Sequence, residues 1–233
     1  MRKLILSPLF APAFILTYVG FFVFYIFASN ANTDAYAMKA FTSGSMEFIT
    51  YFGYTLTAVI VLALISDFDT PKLHLPYAMF LFLLAMAVLR EMGAQHWIAS
   101  QDTTAFKLRF FTNPNNPIEE KLFSASILIF VIGIVVYLLI KYTKPLISGF
   151  FKFNPVCWSV ASLGGIAIIS KTIDRFPGNY RKYTGESLEP LIQAWSVLLE
   201  ETSEATIPLM FAIAVIQWHL LQKNKKIIDT DNK

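Results

Sequence analysis

The sequence has little cysteine and little charge. Cys157 is the only cysteine among 233 residues, so no intramolecular disulfide can form, and a metal cluster held by several thiolates is excluded. Asp, Glu, Lys and Arg make up 15% of the chain, against about 25% in a typical soluble protein. The net charge is only +3, and no dense block of Lys and Arg occurs. We therefore expect no nucleic-acid partner.

Several motifs that identify enzymes are also missing. The sequence contains no P-loop, no His-Glu-x-x-His zinc motif and no Gly-x-Ser-x-Gly nucleophile elbow. A function must therefore be inferred from where the few charged residues lie.

Hydrophobic residues make up 55% of the chain and are concentrated in long runs. A helix needs roughly 20 apolar residues to cross the hydrocarbon of a bilayer. Six segments reach or approach that length: 9–28, 48–66, 76–92, 123–140, 155–171 and 191–222, the last with its membrane part mainly at 205–222. The sequence therefore predicts an all-α fold, a polytopic transmembrane bundle of about six helices that forms a single domain over residues 1–233.

Six crossings place both termini on one side of the membrane. Lys141, Lys144 and Lys223 lie close to span ends on that side, so the positive-inside rule places the termini in the cytoplasm. The basic start Met1-Arg2-Lys3 and the sequence Ser29-Asn30-Ala31 are typical of a cleaved signal peptide. The apolar run between them, however, is longer than such a signal needs, and we expect a retained helix. The short loops are typical of a multi-pass protein of a bacterial inner (plasma) membrane.

Charged residues at the end of the third predicted span are the first candidates for a site. Arg90 and Glu91 lie at or just inside the membrane interface, where an ionisable group costs a few kcal/mol unless it is paired or hydrated. Arg90 could simply extend toward lipid head groups. The alternative is a wet cavity that opens outward, with His96 close by.

The longest connection follows the third span and is unusually apolar. Lys107 and Arg109 alternate with aromatic and aliphatic residues over 106–110, which favours a strand, whereas Asp102-Thr103-Thr104 favours the cap of a short helix. In either case we expect an interfacial or re-entrant segment between the third and fourth helices.

The fifth predicted span ends in a second charged group. Lys171, Asp174 and Arg175 are spaced i, i+3 and i+4 and therefore share one helical face. A local salt bridge explains this spacing as well as a functional site does.

The last predicted helix carries glutamates within its apolar sequence. Glu200 and Glu204 share a face, where like charges repel unless a cation, a metal or a shared proton intervenes. Pro208 cannot donate the helical hydrogen bond to the Glu204 carbonyl. Carboxylates beside such a break resemble the ion sites of transporters. The alternative is an amphipathic helix on the membrane surface over 191–204, with solvated acids.

The charges support three hypotheses. The first is an enzyme that acts on a lipid or lipid-linked phosphoester at the outer face, with membrane lipids as its partners. Its catalytic candidates are Glu91, His96, Glu200 and Glu204. Its substrate-binding candidates are Arg90, Lys107, Arg109, Lys171, Asp174 and Arg175.

In the enzyme, Glu200 and Glu204 are also the candidate ligands of a divalent cation. The second hypothesis is an ion- or proton-coupled transporter or channel that uses the glutamates. The third is a non-catalytic membrane subunit or assembly factor, although the sequence indicates no specific protein partner.

Overall fold

A computed structural model describes residues 2–29, 33–65, 71–98 and 105–231. In these ranges all regular structure is helical and no strand occurs, which confirms the all-α prediction. The helices are α1 (Arg2–Ile5), α2 (Phe10–Ala28), α3 (Ala35–Phe41), α4 (Glu47–Ile65), α5 (Pro71–Glu91), α6 (Ala94–Trp97), α7 (Leu108–Thr112), α8 (Ile118–Phe151), α9 (Pro155–Thr184) and α10 (Pro190–Asp231).

Five helical segments of the described residues are long and apolar enough to cross a membrane, which is compatible with a multi-pass membrane protein. They are Phe10–Ala28, Ala35–Leu64, Ile118–Phe151, Pro155–Thr184 and Pro190–Lys223. The third predicted span lies in α5, whose apolar part, Tyr77–Arg90, is shorter than these.

The connection between α5 and α8 contains two short helices, α6 and α7. Residues 108–110, for which a strand was one of two predictions, are helical. The predicted cap Asp102-Thr103-Thr104 lies outside the described residues, as do Asn30 and Ala31 of the cleavage-like sequence.

The chain groups into two compact units. Unit 1 comprises Met1–Leu64 and Leu146–Lys233, and unit 2 comprises Ile65–Pro145. The centre of unit 1 is α10, because 50% of its apolar window is buried, against 24% or less in the other four membrane-length segments.

Helix α2 packs antiparallel to α10. The rings of Phe27 and Trp195 lie 5.5 Å apart, and Ile26 shares a core cluster with Ala194 and Leu198. Before the start of α2, the amide of Gln217 donates a hydrogen bond of 2.7 Å to the carbonyl of Ile5, the last residue of α1. These contacts indicate an antiparallel register, in which residues later in α2 lie beside residues earlier in α10.

The second membrane-length helix begins earlier than predicted. The sequence placed its start at residue 48, but the chain is helical from Ala35. The Asp34 side chain accepts hydrogen bonds from the backbone amides of Tyr36 and Ala37 and so caps α3. Met38 then packs into the core with Ile26 and Leu198, which explains why this weakly apolar segment is ordered as a helix.

A π-helical turn, Thr42–Met46, joins α3 to α4. The hydroxyl of Thr42 bonds to the carbonyls of Met38 and Lys39, at 3.2 and 2.9 Å, and Met46 is fully buried. The Thr202 hydroxyl of α10 lies 4.0 Å from the Met46 sulfur. The turn therefore packs directly on α10, between the positions of Glu200 and Glu204.

Beyond this turn, α4 packs on α10 at Pro208. The Thr57 hydroxyl lies 2.8 Å from the Pro208 carbonyl, and both residues are buried. A Cβ atom added at Gly53 would lie only 2.9 Å from Cγ of Pro208. Gly53 thus lets the two helices approach closely, as small residues do in membrane helix pairs.

This contact predicts the effect of substitution at Gly53. We expect Gly53→Ala to destabilise the protein by about 1–3 kcal/mol, because the proline ring cannot move aside as a flexible side chain can. The matched control is Gly20→Ala in α2, where nothing lies within 4 Å of the added Cβ. Thermal unfolding of the detergent-solubilised variants measures both effects. An equal midpoint for the two variants would contradict the close packing.

Candidate functional site

An ion pair joins the middle parts of α9 and α10. Nζ of Lys171 lies 2.6 Å from Oε1 of Glu204 and 3.5 Å from Oδ2 of Asp174. The hydroxyl of Ser170, which is fully buried, lies 3.4 Å from the same Glu204 oxygen. The structure therefore brings together three residues predicted from the sequence, Lys171, Asp174 and Glu204.

The antiparallel pairing of α9 with α10 positions this ion pair. Two further contacts join the antiparallel helices. The Ser159 hydroxyl bonds to Gln217 at 2.6 Å in the register of the ion pair, and the Ser196 hydroxyl bonds to the Ile173 carbonyl at 3.3 Å, nearer the connection of the two helices than that register would place it. Helix α9 starts with an Asn154 side-chain cap and ends at Gly185, whose positive φ of 78° favours glycine.

The helix register also places the ion pair along the bundle. In the register of α2 and α10, Glu204 is level with Tyr18, near the middle of α2. At about 1.5 Å per residue, it lies about 14 Å along α10 from Trp195, which packs on the end of α2. Helix α2 contains no charged residue. The pair is therefore level with the centre of an uninterrupted apolar helix.

Glu204 and Lys171 have different surroundings. Only 14% of the Glu204 side chain is exposed, whereas 46% of Lys171 and 45% of Asp174 are exposed. Glu200 is partly buried one turn before Glu204 and interacts electrostatically with Asp174, Glu204 and Lys171. The site thus consists of a mostly buried carboxylate, a half-exposed ammonium group and two flanking acids.

The sequence 191–204 is part of α10 rather than a separate helix. Ala194 and Leu198 are buried against α2 and α3, with Leu191 and Trp195 packed beside them. This packing argues against the alternative in which the segment lies on the membrane surface with solvated acids. Helix α10 continues through Pro208.

The structure shows no contact with this ion pair for the other predicted site residues that it describes, Glu200 apart. Arg90, His96, Lys107 and Arg109 belong to unit 2, where they are exposed. Arg175 is exposed on α9. The side chain of Glu91 lies outside the part of the chain that the structure describes. The catalytic and substrate-binding roles given to these residues stay predictions.

Within the described ranges, no group of three or more His, Cys, Asp and Glu residues is placed to hold a metal ion. Glu204, one of the two candidate ligands, is paired with Lys171 instead. The divalent cation stays a prediction.

Sequence reasoning missed Ser170 and the pairing of α9 with α10 across Lys171 and Glu204. Ser170 carries no signal of its own, since it ends an apolar run like other small residues. The pairing had a signal, because Lys171 and Glu204 are nearly equally far from the Gly185–Glu189 connection. An antiparallel hairpin brings such positions together.

Breaking the ion pair should destabilise the protein. We expect Lys171→Met to lower the free energy of unfolding by about 1–3 kcal/mol. Breaking a fully buried ion pair costs about 3–5 kcal/mol, and the effect is smaller here because Lys171 is half exposed. The double variant Lys171→Met/Glu204→Gln should recover part of the loss, since no unpaired charge remains. Lys182→Met, on the exposed last turn of α9, is the control and should change stability by under about 0.5 kcal/mol. If the effects of the single variants Lys171→Met and Glu204→Gln simply add up in the double variant, a direct interaction between the two side chains is contradicted.

Comparison with known proteins finds no matching family model, no similar curated protein and no similar solved structure. A function therefore has to be inferred from the residues of this site and their surroundings.

Proposed function

We propose that this protein is a membrane transport protein that binds a proton or a monovalent cation at Glu204. The observation that carries the proposal is the 2.6 Å ion pair between Lys171 and Glu204, which joins two membrane-length helices at the level of the middle of α2. Ionisable residues at such a depth are rare and usually mark an ion or proton pathway.

The energetic cost of the pair supports a functional role. Burying a carboxylate such as Glu204, of which only 14% is exposed, costs several kcal/mol, and the attraction of a half-exposed Lys171 only partly offsets that cost. An apolar contact between α9 and α10 would hold the helices together without this cost. The charges are therefore better explained by ion binding than by stability.

The site suggests how binding could be coupled to movement. Protonation of Glu204, or cation binding to it, would remove its attraction for Lys171. Lys171 would keep Asp174, 3.5 Å away on its own helix, as a counter-ion. The link between α9 and α10 would weaken, and the population of a second arrangement of these helices would increase.

The same charges fit a lipid phosphoester enzyme less well. In that hypothesis Lys171 binds a phosphate, but its ammonium group is already paired with two carboxylates. The enzyme and the non-catalytic subunit both stay predictions.

The proposal includes the topology expected from the sequence. We propose six crossings, with α5 as the third, and both termini in the cytoplasm of a bacterial cell, so that the Gly185–Glu189 connection faces outward. Helix α7 would be the interfacial segment that contacts lipids. Its exposed Leu108, beside Lys107 and Arg109, and its buried Phe110 support that position.

Ion flux in sealed proteoliposomes tests the function. We expect the wild-type protein to dissipate an imposed proton or sodium gradient, and Glu204→Gln to reduce the initial rate by about tenfold or more, since the neutral amide cannot be ionised. The control is Glu189→Gln, an exposed acid just before α10. A pH-sensitive or sodium-sensitive dye reports the rate.

The absence of any flux with the correctly inserted wild-type protein would contradict the proposal. Lipid profiles by mass spectrometry would then distinguish the alternatives. A lipid species that changes with the wild type and not with Glu204→Gln would favour the enzyme. Unchanged lipids, together with a stoichiometric co-purified protein, would favour the subunit.

A further inference from the structure

We infer that the second half of α9 borders a water-filled vestibule that reaches the Lys171–Glu204 pair at a depth where α2 borders lipid. The inference goes beyond the proposed transport, because an enzyme with its site at this pair would need the same access. It rests on the difference between the exposed side chains of α9 and those of α2, which form two faces of unit 1 at about the same depth.

The first of these faces is polar. From Lys171 to the end of α9, most side chains are exposed, and they are largely charged or polar. We call these exposed polar residues of α9 the polar track, and they include Thr172, Asp174, Arg175, Asn179, Arg181 and Lys182. At about 1.5 Å per residue, the polar track extends about 17 Å from Lys171 to Lys182. It therefore connects the ion pair with the Gly185–Glu189 end of the unit.

The second face is apolar over the same depth. The contacts of α9 with α10 make Asp174 level with the last two turns of α2, between Phe21 and Phe27. The Phe21 side chain is 59% exposed, and Phe24, Tyr25 and Phe27 of the following turns are exposed as well. Only Phe176 and Tyr183 on the α9 track are large exposed apolar residues of this kind.

One solvent cannot suit both faces. Hydrocarbon around the whole unit would surround the half-exposed Lys171 and Asp174 with acyl chains, which is unfavourable for charged groups. Water around the whole unit would expose a row of phenylalanines. The two faces therefore have different surroundings, lipid at α2 and a polar medium at α9.

Water fits the polar face better than a second polypeptide does. Within the chain, Lys171 already has Glu204 and Asp174 as counter-ions, so no charge from a partner is required. What the exposed parts of Lys171, Asp174 and Arg175 still require is hydration. The vestibule opens at one end only, because the first half of α9 contains no charged residue.

Thiol labelling of membranes from cells that express the full chain tests this inference. Cys157, the native cysteine, is first replaced by serine. Three single cysteines are then compared: Thr172→Cys on the polar track, Phe21→Cys at about the same depth on α2, and Glu186→Cys in the connection as a positive control. A charged, membrane-impermeant methanethiosulfonate is the probe.

We expect Thr172→Cys to react about tenfold or more faster than Phe21→Cys, because only a hydrated thiol forms the reactive thiolate. It should also react from the same side of the membrane as Glu186→Cys. If Thr172→Cys does not insert correctly, Arg175→Cys gives the same comparison.

Two outcomes would overturn the inference. Equal, negligible reaction of Thr172→Cys and Phe21→Cys would mean that lipid or a protein covers the α9 face. Equal, rapid reaction of both would mean that the ends of α2 and α9 stand outside the membrane together. The result is independent of ion flux, so it can fail or succeed separately from the proposed function.

Discussion

The contact between α9 and α10 through Lys171 and Glu204 is the interaction on which the interpretation of unit 1 depends. It fixes the register of the two longest helices of the unit, and through Trp195 and Phe27 that register extends to α2. A carboxylate buried in an apolar bundle also destabilises the fold least when it is paired with an opposite charge. The same atoms therefore set the geometry of the bundle and give it the polar centre at which an ion could bind.

The helices could largely be predicted from the sequence wherever a long apolar run determines the structure. The run 9–28 matches α2 closely, because an uninterrupted apolar segment of that length has few alternatives to a helix, and the run 191–222 lies within α10, which continues to Asp231. The helix ends were less predictable. Helix α9 extends to Thr184, well beyond residue 171, since its second half is polar and its end depends on Gly185. The early start of the second membrane-length helix depends on a side-chain cap at Asp34 and on core contacts of Met38.

The candidate site could be predicted only as residue types at helix positions. The spacing of Lys171 and Asp174 gave their local pairing, because i and i+3 lie on one face. The partner of Glu204 could not be identified in the same way, since it lies on another helix and depends on a register set by many contacts. Charge patterns along a sequence do not specify which distant residues meet.

The π-helical turn at Thr42–Met46 has a consequence for how the second membrane-length helix follows its neighbour. Met38, Thr42, Met46 and Thr50 are all buried and recur every four residues. In a regular α-helix, such a spacing rotates the buried stripe by about 40° at each step, so the stripe would leave the contact within a few turns. The wider π turn takes up part of that rotation. It therefore keeps the four buried side chains closer to one line along the helix than a regular α-helix would, and two of them, Met38 and Met46, lie against α10.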